Sequence, residues 1–188
     1  MKGIIEQEFH EHLNIANLLH HLTDEVAKSA QLCIDTLNNH GKILLFGNGG
    51  SAADAQHIAA ELVGRYKHNR IGLPAIALTT DSSSITSIAN DYGYENVFNR
   101  QVEALANKGD VVIGISTSGE SINVISALKT AQKLHCNTIG FSGNNGKVMQ
   151  KICNINLAVP SDDTPRVQEM HILLGHTICK LIDNAFSN

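Results

Sequence analysis

Five short apolar runs, each separated from the next by a stretch with helical periodicity, constrain this chain more than any other feature of its sequence. They are Lys42 to Phe46, Ala75 to Leu78, Val111 to Ile115, Thr138 to Phe141 and Ile155 to Val159. A run without polar alternation suits a strand covered on both faces, and strands that alternate with helices imply a parallel sheet between helices. The expected fold class is therefore α/β, with a five-stranded parallel sheet. Ahead of the sheet, apolar residues from Ile4 to Leu37 recur every three or four positions, which predicts two amphipathic helices. Val167 to Phe186 has the same spacing and predicts one closing helix.

At 188 residues the chain has room for one domain with a substantial core. It reads as a single unit of 1–188, in which a helical hairpin of 1–40 packs on an α/β core of 41–188. No repeat, low-complexity tract or linker marks a second module. The net charge of -4 leaves no electrostatic footprint for nucleic acid or an anionic membrane. Glu6 and Glu8 interrupt the stretch where a signal peptide would be apolar, and no window approaches the ~20 apolar residues of a membrane span, so the expected location is cytoplasmic. Cys33, Cys136, Cys153 and Cys179 show no metal-site or redox spacing and read as reduced packing residues.

In parallel sheets, ligands bind beyond the carboxyl ends of the strands, where helix N-termini offer free N–H groups to anions. Two loops have the composition for this. Gly47-Asn48-Gly49-Gly50-Ser51 lets the backbone approach a ligand, with Ser51 expected to cap a helix starting near Ala52. Ser116-Thr117-Ser118-Gly119-Glu120-Ser121 offers four hydroxyls beside a helix start, enough to satisfy one monophosphate without Lys or Arg. A competing reading takes Gly47-x-Gly49-x-x-Ala52 as a relaxed dinucleotide fingerprint, with Asp81 as the ribose-binding acid. That reading has no use for the four hydroxyls.

His57 and Glu61, four residues apart after the glycine loop, share one helix face, and Asp54 lies near the same stripe. On the closing helix, Gln168, Ile172 and His176 form one row, with His171 slightly off it. Imidazole and carboxylate ligands suit zinc; a glutamine ligand is less usual and argues for an exchangeable site. Gln168 and His176 stand about 12 Å apart along an ideal helix at ~1.5 Å per residue, so a kink near Gly175 or donation from different subunits would have to bring them to one ion.

Phe46-Gly47-Asn48-Gly49-Gly50-Ser51-Ala52-Ala53-Asp54-Ala55-Gln56-His57, Asn90-Asp91, Ser116-Thr117-Ser118-Gly119-x-Ser121 and Gln168-Glu169-x-His171, in this order, resemble the phosphoheptose isomerases of the sugar isomerase (SIS) domain superfamily. The resemblance runs nearly the whole chain. It implies a three-layer, flavodoxin-like or Rossmann-like sandwich and a homotetramer with sites between subunits. It further implies conversion of D-sedoheptulose 7-phosphate to D-glycero-D-manno-heptose 7-phosphate, towards lipopolysaccharide or capsule. By motif, Asn48, Gly49, Gly50 and Ser51 with Asn90 and Asp91 would contact the sugar, and Ser116, Thr117, Ser118 and Ser121 the phosphate. His57, Glu61, Gln168 and His176 would bind one zinc, with Glu61 and Gln168 also touching substrate. Moving a carbonyl between C2 and C1 needs an acid and a base, roles expected of Glu61 and His176.

Two other readings keep the fold and change the function. A noncatalytic SIS scaffold that binds the bacterial replication initiator would lack the acid/base pair retained here. A sugar-phosphate-sensing regulator would need a DNA reader in the first 40 residues, which carry Lys2 and Lys28 against six acids.

Overall fold

The computed structural model of the chain describes residues 1–144 and 146–187. The five apolar runs are strands: β1 (Ile43–Gly47), β2 (Ala75–Ala77), β3 (Val111–Ser116), β4 (Asn137–Ser142) and β5 (Ile155–Ala158). All pair in parallel in the order β2-β1-β3-β4-β5, with Ile43 opposite Val111 and Ile113 opposite Ile139. The chain leaves β1 outward to β2 and returns across it to β3, which puts the topological switch between β1 and β3.

Residue alternation along the strands divides the core in two. Ile43 and Leu45 of β1, with Val111, Ile113 and Ile115 of β3, face one side. Leu44 and Phe46, with Val112, face the other. The first side is covered by α2 (Thr23–Asn38), α3 (Gly50–Val63) and α8 (Thr164–Phe186), through residues such as Leu37, Ile58 and Met170. The second is covered by α4 (Ser82–Tyr92), α5 (Asn99–Leu105), α6 (Ile122–Lys133) and α7 (Lys147–Ile152), through residues such as Ile88, Val102 and Leu128. The result is the three-layer sandwich expected from the strand pattern.

The N-terminal helices are α1 (Lys2–Leu18) and α2, joined by a single 3-10 turn, Leu19–Leu22. Helix α1 buries none of its residues, and Ile4, Ile5, Phe9 and Leu13 stand exposed. Buried Arg166 on α8 ties it down, donating from Nη1 to the Glu8 carbonyl at 2.9 Å and to the Glu8 carboxylate at 3.0 Å. No helix among the described residues is long and apolar enough to cross a membrane.

Candidate active site

Both candidate loops lie at the switch, because β1 and β3 run side by side and Gly47 pairs with Ile115. A side chain at Gly47 would collide with the Ile115 carbonyl at 2.8 Å, so only glycine lets the strand exit this close. Gly49 follows with φ +56° and ψ -121°, a backbone state that residues with a Cβ rarely adopt. Helix α3 therefore begins at Gly50 rather than near Ala52, with Gly49 at its N-cap and no side-chain cap. Ser51, expected to cap it, sits buried inside the first turn. With no side-chain cap, the Ser51 and Ala52 N–H groups bond the Asn48 and Gly49 carbonyls at 3.0 Å.

Asn48 is held by partners that sequence spacing does not reveal. Its amide exchanges two hydrogen bonds of 2.9 Å with the amide of buried Asn123, one in each direction. The Tyr94 hydroxyl donates to the same Asn48 oxygen at 3.2 Å. One Asn48 N–H remains for a ligand by this accounting. Asn90 and Asp91, joined by a 2.8 Å hydrogen bond, lie exposed at the end of α4, four and three residues before Tyr94.

In the second loop Ser116 is buried at the end of β3 and shares hydrogen bonds with Ser121 at 2.9 Å and Ser118 at 3.3 Å. Ser121 stands at the N-cap of α6 with its hydroxyl not bonded to the helix, while the Val124 N–H is bound by the Asn123 side chain at 2.9 Å. Three of the four predicted hydroxyls therefore converge, and Thr117 is half-buried between them in sequence. Asp81, assigned to a ribose under the dinucleotide reading, caps α4 instead, accepting from the Ser84 backbone N–H at 3.0 Å and its hydroxyl at 2.7 Å.

Helices α3 and α8 pack together and bring two predicted rows face to face. His57 Nε2 lies 3.2 Å from a Glu61 carboxylate oxygen and 2.9 Å from His176 Nε2. One ligand atom from each of the three residues falls within 4.8 Å of the others. The donor set fits zinc, since tetrahedral ligands at ~2.0–2.1 Å from the ion stand ~3.3 Å from one another. The Tyr66 ring stacks on His176 with centroids 5.5 Å apart, a contact that spacing did not suggest. Asp54, one turn before His57, has its carboxyl pushed up to about 6 by burial, partly offset by His57. One of its oxygens is buried without a hydrogen-bond partner.

Gln168 reaches towards the glycine loop. Its side-chain amide lies against the start of α3, where a Cβ on Gly50 would meet Gln168 Nε2 at 2.5 Å. Helix α8 runs from Thr164 to Phe186 as one α-helix, and Gly175 serves packing, because a Cβ there would meet the Ile58 side chain at 2.6 Å. His171 is fully buried, with Nε2 3.1 Å from the Ser142 carbonyl.

A 2-1-3-4-5 sheet with a hydroxyl loop and a glycine loop at its switch, and a His/Glu/His cluster between α3 and α8, defines a phosphosugar-binding domain of the SIS class. Residues 11–143 match the SIS domain family model. The phosphoheptose isomerase of Aliarcobacter butzleri is 60% identical over 189 residues, covering 100% of both chains. That of Campylobacter jejuni is 55% identical over 186 residues, covering 99% of this chain and 100% of its own. The structure of the phosphoheptose isomerase GmhA from Neisseria gonorrhoeae superposes with a TM-score of 0.92 at 43% identity, covering 97% of this chain and 98% of its own. The chain belongs to the phosphoheptose isomerase family.

Proposed function

We propose that the protein converts D-sedoheptulose 7-phosphate to D-glycero-D-manno-heptose 7-phosphate through an enediol, supplying activated heptose for lipopolysaccharide or capsule. The observation that carries this reading is the meeting of Glu61 with His57 and His176 across α3 and α8, their ligand atoms within 4.8 Å of one another, in a chain whose full-length relatives are phosphoheptose isomerases. The phosphate rests on Ser116, Thr117, Ser118 and Ser121 with the α6 N-terminus, and the sugar lies along Asn48, Gly49, Gly50, Ser51, Asn90 and Asp91. Gln168, packed at Gly50, is available to the same sugar. Glu61 and His176 then exchange protons with C1, C2 and their oxygens, one taking the carbon-bound proton and the other protonating the carbonyl oxygen.

His57, Glu61 and His176 would hold zinc, which when bound polarises an oxygen of the substrate and neutralises developing negative charge. Gln168 completes the ligand set in this proposal, through its own side chain or that of another subunit. The exposed apolar ridge Ile4, Ile5, Phe9 and Leu13 supports a homotetramer, since this face of α1 is left uncovered by its own chain while Ile15 and Ala16 pack on the core. We read 1–188 as one unit, with the helices of 1–40 packed on the core and no nucleic acid or membrane among its partners. Relatives named as isomerases across the full length favour catalysis over the scaffold reading.

The test is NMR of the purified protein with sedoheptulose 7-phosphate, with Glu61→Gln, chelator and added zinc in parallel. An aldose anomeric signal formed by the wild type and lost by at least about 100-fold in Glu61→Gln is expected, in line with the loss of one acid/base group. A folded wild-type protein that forms no aldose under any metal condition rules the reaction out.

A further inference from the structure

Glu61 and His176 lie on different helices, and a buried ion pair links the end of one to the other. Arg70 and Asp183 have no exposed side-chain surface. Arg70 Nε donates to Asp183 Oδ1 at 2.8 Å. Its Nη2 donates to the carbonyl of Glu61 itself at 2.8 Å, and its Nη1 to the carbonyls of Leu62 at 2.9 Å and Ile71 at 2.8 Å. The other carboxylate oxygen of Asp183 accepts from the backbone N–H groups of Lys67 at 2.9 Å and His68 at 2.7 Å. Burial alone would raise the Asp183 carboxyl, but these two N–H groups and the Arg70 guanidinium hold it below the usual carboxylate range.

Three pieces of chain converge on this pair. They are the last turn of α3, which carries Glu61; the loop after it, which carries Tyr66; and α8, where Asp183 follows His176 by seven residues, about two turns on the same face. Tyr66 immediately precedes Lys67, whose N–H is bound by Asp183, and its ring stacks on His176 at an interplanar angle of 29°. A buried ion pair is a weak source of stability, because desolvation offsets most of its attraction. An apolar pair could fill the same space, but it could not bond the Glu61 and Leu62 carbonyls in the last turn of α3. Stability alone is thus a poor account of the pair.

We propose that Arg70 and Asp183 are positioning residues for the isomerisation, clamping the Glu61 end of α3 to α8 and setting Tyr66 behind the His176 ring. The role in turnover rests on the isomerase reading above. The clamp does not touch the loop that would hold phosphate, so loosening it should slow the chemical step and spare binding. Displacing a catalytic group by ~1 Å can cost about 100-fold in rate.

The test compares Arg70→Met, Arg70→Lys, Asp183→Asn, Tyr66→Leu and Tyr66→Phe with wild type in the full chain. It reads kcat and KM for sedoheptulose 7-phosphate and the ring carbon-proton shifts of His176, which feel the Tyr66 ring current. The expected result for folded Arg70→Met and Asp183→Asn is kcat down ~10- to 100-fold with KM within about threefold, together with displaced His176 shifts. Arg70→Lys should recover part of the loss, and Tyr66→Phe should behave as wild type while Tyr66→Leu does not. The Tyr66 pair decides the matter if the buried variants do not fold. Wild-type kcat and unmoved His176 shifts in folded variants overturn the proposal. An inactive wild type defeats the isomerase reading alone, because the His176 shifts still report whether the clamp sets the imidazole.

Discussion

Ser116, Ser118 and Ser121 share hydrogen bonds with one another, which stores hydroxyl groups in one place at the mouth of α6. A ligand oxygen can replace those internal bonds, and a charged acceptor strengthens them. Ser121→Ala should therefore weaken substrate binding by about 1 kcal/mol or more, read as a roughly fivefold or larger rise in KM. An unchanged KM would remove Ser121 from the phosphate site. His171 supplies a second prediction at this scale. Full burial pushes its pKa down to about 4, against a smaller opposing pull from the Ser142 carbonyl. The unfolded chain, with an ordinary histidine pKa, takes up a proton first as pH falls, so folding stability is complete above about pH 6.5 and is lost on the way down towards pH 4. At about 1.36 kcal/mol per pKa unit, stability at pH 5 should lie roughly 2 kcal/mol below that at pH 7.5 from this group. His171→Gln should flatten the difference, measured by denaturant unfolding at the two values; an unaltered pH dependence would mean that other groups carry it.

Among the elements, β1 and β3 are fastened at the end of the sheet away from the ligand loops. Buried Asp110 accepts from the Lys42 backbone N–H at 2.9 Å, the Lys42 ammonium at 2.6 Å and the Asn107 N–H at 2.8 Å. These bonds join the entrances of both strands, whose exits carry the two ligand loops. Asp110→Ala strands three donors and should cost about 3 kcal/mol of stability, the usual scale for breaking one side of a buried pair. The KM of the folded fraction should stay as in wild type, because the loops lie a full strand away; a raised KM would show that strand entry and loop geometry are coupled. Asp110 thus ties the strand entrances together, while the two ligand loops sit at the exits, the end where switch-point geometry leads one to expect binding.

For the whole molecule, the exposed apolar ridge of α1 is the feature a lone chain explains least. Ile4 and Phe9 are each 67% exposed, on a helix that is anchored to α8 by Arg166 and Glu8. A contiguous apolar strip of this kind marks a surface that another protein covers. If the proposed tetramer assembles through this strip, Phe9→Asp should shift the sedimentation coefficient towards smaller species, while circular dichroism stays unchanged. A Phe9→Asp protein that sediments as wild type would place the assembly surface elsewhere.

Strand positions and the long closing helix were legible in the residues because periodicity is local: each buried strand writes its own apolar run, and each helix its own three-to-four spacing. His57 and Glu61 were legible for the same reason, being one turn apart on one helix. The sites at Ser116 to Ser121 and Asn48 to Gly50 followed from loop composition next to strand ends. What the residues did not disclose was partnership across the fold. Nothing in spacing pairs Asn48 with Asn123, Tyr66 with His176, or Arg70 with Asp183, since these contacts join segments up to 113 residues apart. The helix cap at Gly49 was missed because a serine nearby offered the commoner solution. Gln168 lies beside Gly50, in a place that its row on α8 does not specify. By itself the sequence determined the layers and the order of the candidate ligand loops, and it suggested the chemistry proposed for them. Only the tertiary structure decided which side chains meet, because the packing of α3 on α8 is a three-dimensional result of shape and buried hydrogen bonding rather than of any local repeat.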